Sequence, residues 1–306
     1  MENKIIAILG PTSSGKSDMA VEIAKKITKN KLGGFEGAEI ISVDSRQVYK
    51  GMDIGSGKIT KNEMKEIPHH LLSIASPKRK FTVVQYKKLA LKLMNQVFRK
   101  KRVVIFCGGT IFYMKVLLNN ISIPNVKPDW LLRRKLEKET TEKLFKRLCK
   151  LDKNRALNID KNNRRRLVRA IEICLKTKKV IQPIKENPIP YPLLKIGVKK
   201  KKEEIKKLIR KRILKRLKKG MVKEVKDLHK EGLSFKRLEE FGLEYKWVSK
   251  FLQKKISKEE MIEKIQQSSE RLAKNQINWL NKDDKIKWVK NYKEAEKGVK
   301  KFLLKN

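Results

Sequence analysis

Residues 5–17 have the sequence IIAILGPTSSGKS, in which an apolar run leads directly into a glycine-rich segment. The run Ile5–Leu9 predicts a buried parallel strand, and the residues after Ser17 have the apolar spacing of a helix. A strand, a glycine-rich turn and a helix in this order are the context of a phosphate-binding loop. The stretch therefore predicts an α/β protein that binds a polyphosphate.

Each position of the predicted loop has a physical role in holding an anion. Glycines let the backbone approach the phosphate closely, and the N–H groups at the start of the following helix face it. Lys16 adds a positive charge, and the hydroxyl of Ser17 can bind Mg²⁺, which prefers oxygen ligands. The predicted phosphate-binding residues in the loop are Gly10, Thr12, Ser13, Ser14, Gly15, Lys16 and Ser17.

The charge of the chain indicates a polyanionic partner. Its 78 Lys and Arg residues exceed its 33 Asp and Glu residues, which gives a net charge of +45, far more than solubility requires. Part of this excess only solvates the surface, but the remainder favours a nucleic acid. Most positions between Lys199 and Lys219 are basic, and apolar residues recur there at helical spacing, which predicts an amphipathic basic helix.

Other compositional features exclude several classes of protein. The three cysteines lie far apart and the histidines lack ligand spacing, so a structural zinc site is not expected. The chain has no apolar run of 18 residues and no signal-type N-terminus. We therefore expect a cytoplasmic protein without a membrane partner, and nothing in the sequence suggests an obligate oligomer, so a monomer is expected.

The order of the predicted elements favours a parallel sheet flanked by helices, of the P-loop NTPase-like α/β class. Further buried strands are predicted at 39–44, 103–107 and 194–198, with helices at 83–100 and 164–176. Ligands bind at the carboxyl ends of such strands, so Thr12, Asp44 and Thr110 should meet in one crevice. We predict a first part of the core at 1–122, a small helical insertion that binds RNA at 123–163, and a second part of the core with basic helices at 164–306.

Residues 41–55, with the sequence ISVDSRQVYKGMDIG, closely resemble the signature of the tRNA dimethylallyltransferases. These enzymes are isopentenyl transferases that modify an adenosine beside the anticodon. The resemblance extends over almost the whole chain through the phosphate loop, Pro68–Leu71, Gly108–Thr110 with Tyr113, the arginine helix Arg164–Glu172, the basic helix with Arg212, Gly220 and Glu224, and Ala273–Gln276 with Trp279. Three positions depart from the family pattern: Ile111 replaces a frequent glycine, and Leu208 and Asn275 replace arginines.

The resemblance implies transfer of a dimethylallyl group from dimethylallyl diphosphate to N6 of adenosine 37 in tRNAs that read codons beginning with U. Asp44 then accepts the proton of the amine, while Thr12, Lys16, Mg²⁺ and a basic residue stabilise the departing diphosphate. We predict Arg212 for that basic residue, with Arg210 as the alternative. Ser45, Gln47, Thr110, Arg165 and Arg169 are predicted to contact the tRNA, whose target base must leave the loop stack to react.

Two other functions use the same features. A small-molecule kinase has the same loop and Mg²⁺ site, but it gains nothing from a charge of +45. A noncatalytic RNA-binding protein with a relic loop is expected to have lost Lys16 or Asp44, and both are present. Turnover of ATP with a small acceptor would favour the kinase.

Overall fold

The computed structural model describes residues 2–124, 126–182 and 186–305. The strands are β1 (Ile5–Leu9), β2 (Gly37–Ser42), β3 (His69–His70), β4 (Arg102–Cys107), β5 (Leu193–Val198) and β6 (Ile286–Val289). The helices are α1 (Lys16–Asn30), α2 (Lys61–Met64), α3 (Val83–Arg99), α4 (Ile111–Leu118), α5 (Trp130–Leu136), α6 (Thr141–Leu151), α7 (Lys153–Leu157), α8 (Arg164–Thr177), α9 (Lys202–Lys218), α10 (Met221–Lys230), α11 (Phe235–Glu240), α12 (Leu243–Leu252), α13 (Lys258–Leu280) and α14 (Tyr292–Leu304), with a 3₁₀ turn at Leu32–Gly34.

The strands form one parallel sheet in the order β3-β2-β4-β1-β5-β6. β1 lies inside the sheet and all five of its residues are buried, because successive side chains enter the cores on opposite faces. Ile5, Ala7 and Leu9 belong to the core that includes α3, α4 and the helices α9–α13. Ile6 and Ile8 belong to the core under α1 and α14. The expected α/β class with flanking helices is confirmed.

The four strands predicted from apolar runs are present, and their ends differ from the predicted ones by at most two residues. β3 and β6 were missed. β3 has only two residues, both histidines, and β6 is a short edge strand with an exposed lysine in its middle. Neither has the apolar signal of a strand that is covered on both faces.

The chain divides into two compact units, one formed by 1–119 with 189–306 and the other by 120–188. The smaller unit has its own core, in which Leu144 and Leu148 of α6 are buried in one apolar cluster with Leu167 and Ile171 of α8. The predicted insertion ended at residue 163, whereas the structure places α8 inside the insertion. The reason is that the apolar face of α8 packs on α6 in the core of the smaller unit. Within the described residues, no helix combines the length and the apolar character that a membrane crossing requires.

Candidate active site

The segment between β1 and α1 has the backbone of an anion-binding loop. Gly15 precedes α1 with a φ of 85°, a left-handed conformation that favours glycine. A Cβ atom on Gly10 would lie 2.7 Å from the Ser14 hydroxyl, so the loop closes tightly at that position. The hydroxyls of Ser13 and Ser14 are buried and have no hydrogen-bond partner among the described residues. Unpaired buried hydroxyls are costly, which fits a loop that completes its hydrogen bonds with an anion.

Lys16 brings a positive charge to this loop. Its ammonium group donates a hydrogen bond to the carbonyl of Pro11 at 3.1 Å. Burial lowers the pKa of Lys16, and so does the nearby Arg212, whereas Cys107 and Asp44 act in the opposite direction. A desolvated cation close to a second cation is well placed to bind a multiply charged anion.

Asp44 lies just after β2 at the carboxyl end of the sheet. Its Oδ1 accepts hydrogen bonds from the N–H groups of Arg46, at 2.8 Å, and Gln47, at 3.2 Å. This turn fixes the carboxylate, while its second oxygen, Oδ2, accepts no hydrogen bond from the described residues. Asp44 is close enough to Lys16 and Arg212 to influence the pKa of both.

Thr110 connects the ends of β2 and β4. Its hydroxyl accepts a hydrogen bond from the N–H group of Ser45 at 3.0 Å and donates to the Ser45 hydroxyl at 3.4 Å. The close approach requires Gly108, because a Cβ atom there would lie 2.1 Å from the carbonyl oxygen of Val43. The segments that follow β2 and β4 are therefore in direct contact.

Arg212 of α9 reaches the phosphate loop. Its Nη2 donates a hydrogen bond of 2.5 Å to the hydroxyl of Thr12, and its Nε is buried without a partner among the described residues. Burial, and after it Arg216, lowers the pKa of Arg212 to about 10. Arg210, the alternative, is exposed on the same helix and donates to Gln266 at 3.3 Å. Of these two arginines, Arg212 is therefore the one that contacts the phosphate loop.

Gln276 is a site residue that the sequence analysis did not assign. Its Oε1 accepts a hydrogen bond from the N–H group of Thr12 at 2.8 Å, and its Nε2 donates to the carbonyl of Gly109 at 2.7 Å. One amide thus joins the phosphate loop to the segment after β4. The available signal was a polar residue on the buried face of the long helix α13, next to Ala273 and Leu280.

The predicted tRNA-contacting residues have different surroundings. The Gln47 amide is held between the hydroxyl of Ser42, at 3.1 Å, and the carbonyl of Gly57, at 3.2 Å. In the smaller unit Arg165 is exposed, whereas Arg169 is bound to the buried carboxylate of Glu172 and to the carbonyl of Val126. Arg169 thus has structural partners within the smaller unit, and its contact with RNA stays a prediction.

The residues present fit a magnesium ion that is bound mainly by phosphate and water. Ser17 is the second residue of α1, directly after Lys16, and is exposed. Among the described residues there is no cluster of three or more acidic, histidine or cysteine side chains that could hold a metal alone. Mg²⁺ usually takes only one or two protein ligands and completes its shell with substrate phosphates and water.

Comparison with known proteins gives one consistent result. The sequence model of the family described as IPP transferase matches residues 47–283. A tRNA dimethylallyltransferase of Acetivibrio thermocellus is 36% identical, over 94% of this chain and 92% of the relative, and one of Pelotomaculum thermopropionicum is 34% identical, over 96% and 95%. The crystal structure of the tRNA isopentenylpyrophosphate transferase from Bacillus halodurans superposes with a TM-score of 0.71 at 29% identity, and the match covers 99% of this chain and 96% of that one.

Proposed function

The chain belongs to the IPP transferase family, and from this premise we propose that it is a tRNA dimethylallyltransferase. It transfers the dimethylallyl group of dimethylallyl diphosphate to N6 of adenosine 37 in the anticodon loop of tRNAs that read codons beginning with U. Diphosphate is the second product. The observation that carries this proposal is that Asp44 lies close to the two cations of the site, Lys16 of the phosphate loop and Arg212 of α9.

The phosphate loop binds the diphosphate of the donor. The loop N–H groups, Lys16 and Arg212 surround the position where negative charge grows as the allylic C–O bond breaks. The hydroxyl of Thr12 is oriented by Arg212, so it too can donate to a phosphate oxygen. When bound, Mg²⁺ neutralises part of the same charge, and Ser17 is the residue that would hold it.

Asp44 acts on the acceptor. The exocyclic amine of adenine is a weak nucleophile until its proton has an acceptor. The N6–C bond forms, the C–O bond of the donor breaks with its electron pair leaving on diphosphate, and the amine proton passes to the Asp44 carboxylate. The Asx turn at residues 44–47 keeps that carboxylate in place during the step.

The adenine reaches Asp44 only after it leaves the stack of the anticodon loop. This movement costs little because loop bases are unpaired. Ser45, Gln47 and Thr110 lie next to Asp44 and are the residues we assign to the base, while Arg165 is assigned to the RNA backbone. The net charge of +45 favours this polyanionic substrate.

The direct test incubates the purified protein with an unmodified tRNA transcript, Mg²⁺ and radiolabelled dimethylallyl diphosphate. We expect label in the tRNA with the wild-type protein and none with Asp44→Ala. A transcript in which adenosine 37 is replaced by guanosine should stay unlabelled. Transfer of labelled phosphate from ATP to a small acceptor, without prenylation of tRNA, would contradict the proposal and support the kinase.

A further inference from the structure

A polar network lies close to Arg212, and two of its charged side chains, Arg216 and Glu244, are buried. It consists of Arg216 on α9, Glu224 on α10, Glu244 and Tyr245 on α12, and the segment 53–57 after the Asp44 turn. None of these side chains has a role in the reaction described above. Buried charges that contribute no chemistry are costly unless they fix a structure, so the network needs an explanation.

Glu224 fixes the segment 53–57 through its carboxylate. One oxygen accepts hydrogen bonds from the N–H groups of Asp53 and Ile54, at 2.9 and 2.6 Å. The other oxygen accepts from the N–H group of Gly55 at 3.0 Å and from the hydroxyl of Tyr245 at 2.8 Å. All four partners are donors, so only a carboxylate satisfies them all. The conformation of this segment therefore depends on one acidic residue.

The segment in turn holds Arg216. The Arg216 guanidinium donates to the carbonyl of Gly55 at 3.2 Å and to Glu244 at 2.7 Å, and its side chain is only 11% exposed. It also occupies the space beside Gly57, where a Cβ atom would lie 1.6 Å from Nη2. Since guanidinium is a rigid fork, these contacts fix both the position and the rotation of α9 at Arg216.

Arg216 and Arg212 are one helical turn apart on α9, so a constraint on one constrains the other. Rotation or translation of α9 would move the guanidinium of Arg212 away from Thr12. The segment 53–57 is also tied to the Asp44 turn, because Gln47 donates to the carbonyl of Gly57. A continuous set of contacts thus runs from Glu224 through Arg216 to the diphosphate site.

We propose that Glu224 and Arg216 are positioning residues of the transferase, which act through Arg212 by fixing the segment 53–57 and the helix α9. This inference deepens the proposed function and rests on it. Neither side chain touches the reacting atoms. Replacement of either residue is expected to displace the Arg212 guanidinium, and the reaction slows for that reason.

Double-mutant cycles test the proposal. We expect Glu224→Gln and Arg216→Lys each to lower kcat and the affinity for inorganic diphosphate by about ten- to a hundredfold, the cost of a misplacement of about 1 Å. In an Arg212→Lys background, each should cost less than about twofold, because the group they position is already replaced. Asp227→Asn, which removes an exposed carboxylate from the same helix as Glu224, should change neither quantity.

Equal losses in both backgrounds, or no loss in the wild-type background, would overturn the proposal. General loosening of the fold gives equal losses, and thermal unfolding curves of every variant identify it. If Arg216→Lys does not fold, Arg216→Met with Glu244→Gln removes the buried charge pair without leaving one charge alone, and the same cycle applies. Calorimetry with inorganic diphosphate measures the coupling without catalysis. A protein that binds diphosphate with the expected coupling but does not prenylate tRNA would contradict the proposed function alone.

Discussion

The Nη2 atom of Arg212 lies 2.5 Å from the hydroxyl oxygen of Thr12, although 200 residues separate them in the chain. The contact joins a basic helix to the phosphate loop and completes a site that contains two cations, Lys16 and Arg212. Charge on diphosphate that grows during bond breaking is stabilised best by donors that are already in place. In the reaction proposed above, one face of helix α9 therefore contributes Arg212 to the diphosphate site, and the opposite face is a charged surface.

Replacement of Arg212 and replacement of Arg210, which lies on the same helix, should affect activity very differently. Arg212→Ala removes a preformed donor from the diphosphate site, so we expect kcat/KM for dimethylallyl diphosphate to fall by about a hundred- to a thousandfold. Arg210→Ala changes an exposed residue that contacts Gln266 and should leave this constant within about twofold. Steady-state kinetics at saturating tRNA compares the two. Equal losses would show that α9 contributes only a diffuse positive field.

Asp44→Asn should separate catalysis from binding. Asparagine retains an oxygen that can accept from the N–H groups of Arg46 and Gln47, so the turn is preserved while the proton acceptor is lost. We expect the single-turnover rate to fall by about a hundred- to ten-thousandfold, with the affinity for dimethylallyl diphosphate nearly unchanged. Asp18→Asn, at an exposed carboxylate in the first turn of α1, controls for the lost charge. Full activity of Asp44→Asn would show that Asp44 is not the proton acceptor.

Sequence patterns predicted the central strands and the phosphate loop because both rest on local rules. The apolar run of β1 follows from burial on two faces, and the glycines of the loop follow from backbone geometry. Gln276 and the network at Glu224 could not be predicted in the same way. The backbone groups that Gln276 and Glu224 bind lie more than 160 residues away in the chain, so only the folded structure brings them together.

The extent of the insertion illustrates the same limit. The apolar spacing of α8 showed that one face of the helix is buried, but not which core receives it. Leu167 and Ile171 pack with α6, and Glu172 on the buried face of α8 binds Arg133 and Arg169. The apolar periodicity of a helix indicates that one face is covered, but it does not identify the element that covers it.

Gly108 and Gly298 form a matched pair for a stability experiment. Gly108→Ala should destabilise the protein and abolish transfer, since the new Cβ atom would lie 2.1 Å from the backbone carbonyl of Val43, which cannot yield easily. Gly298 lies within α14 with nothing near its missing Cβ, so Gly298→Ala should raise the free energy of unfolding by about 0.5–1 kcal/mol through helix propensity. Chemical denaturation measures both. A Gly108→Ala protein as stable as the wild type would contradict the close contact between the ends of β2 and β4.

At alkaline pH the enzyme should have a lower kcat/KM for dimethylallyl diphosphate. Burial lowers the pKa of Lys16, and burial followed by Arg216 lowers that of Arg212 to about 10, so both cations lose their charge at a lower pH than usual. Each must be protonated to bind diphosphate, and kcat/KM reports the free enzyme, so kcat/KM for dimethylallyl diphosphate should fall as the pH rises towards about 10. Since bound diphosphate favours the charged forms, kcat should fall less over the same range.

Lys16→Arg should move the decline contributed by residue 16 to higher pH, because arginine keeps its proton there. Identical profiles for kcat and kcat/KM would show that the decline does not arise from these two cations.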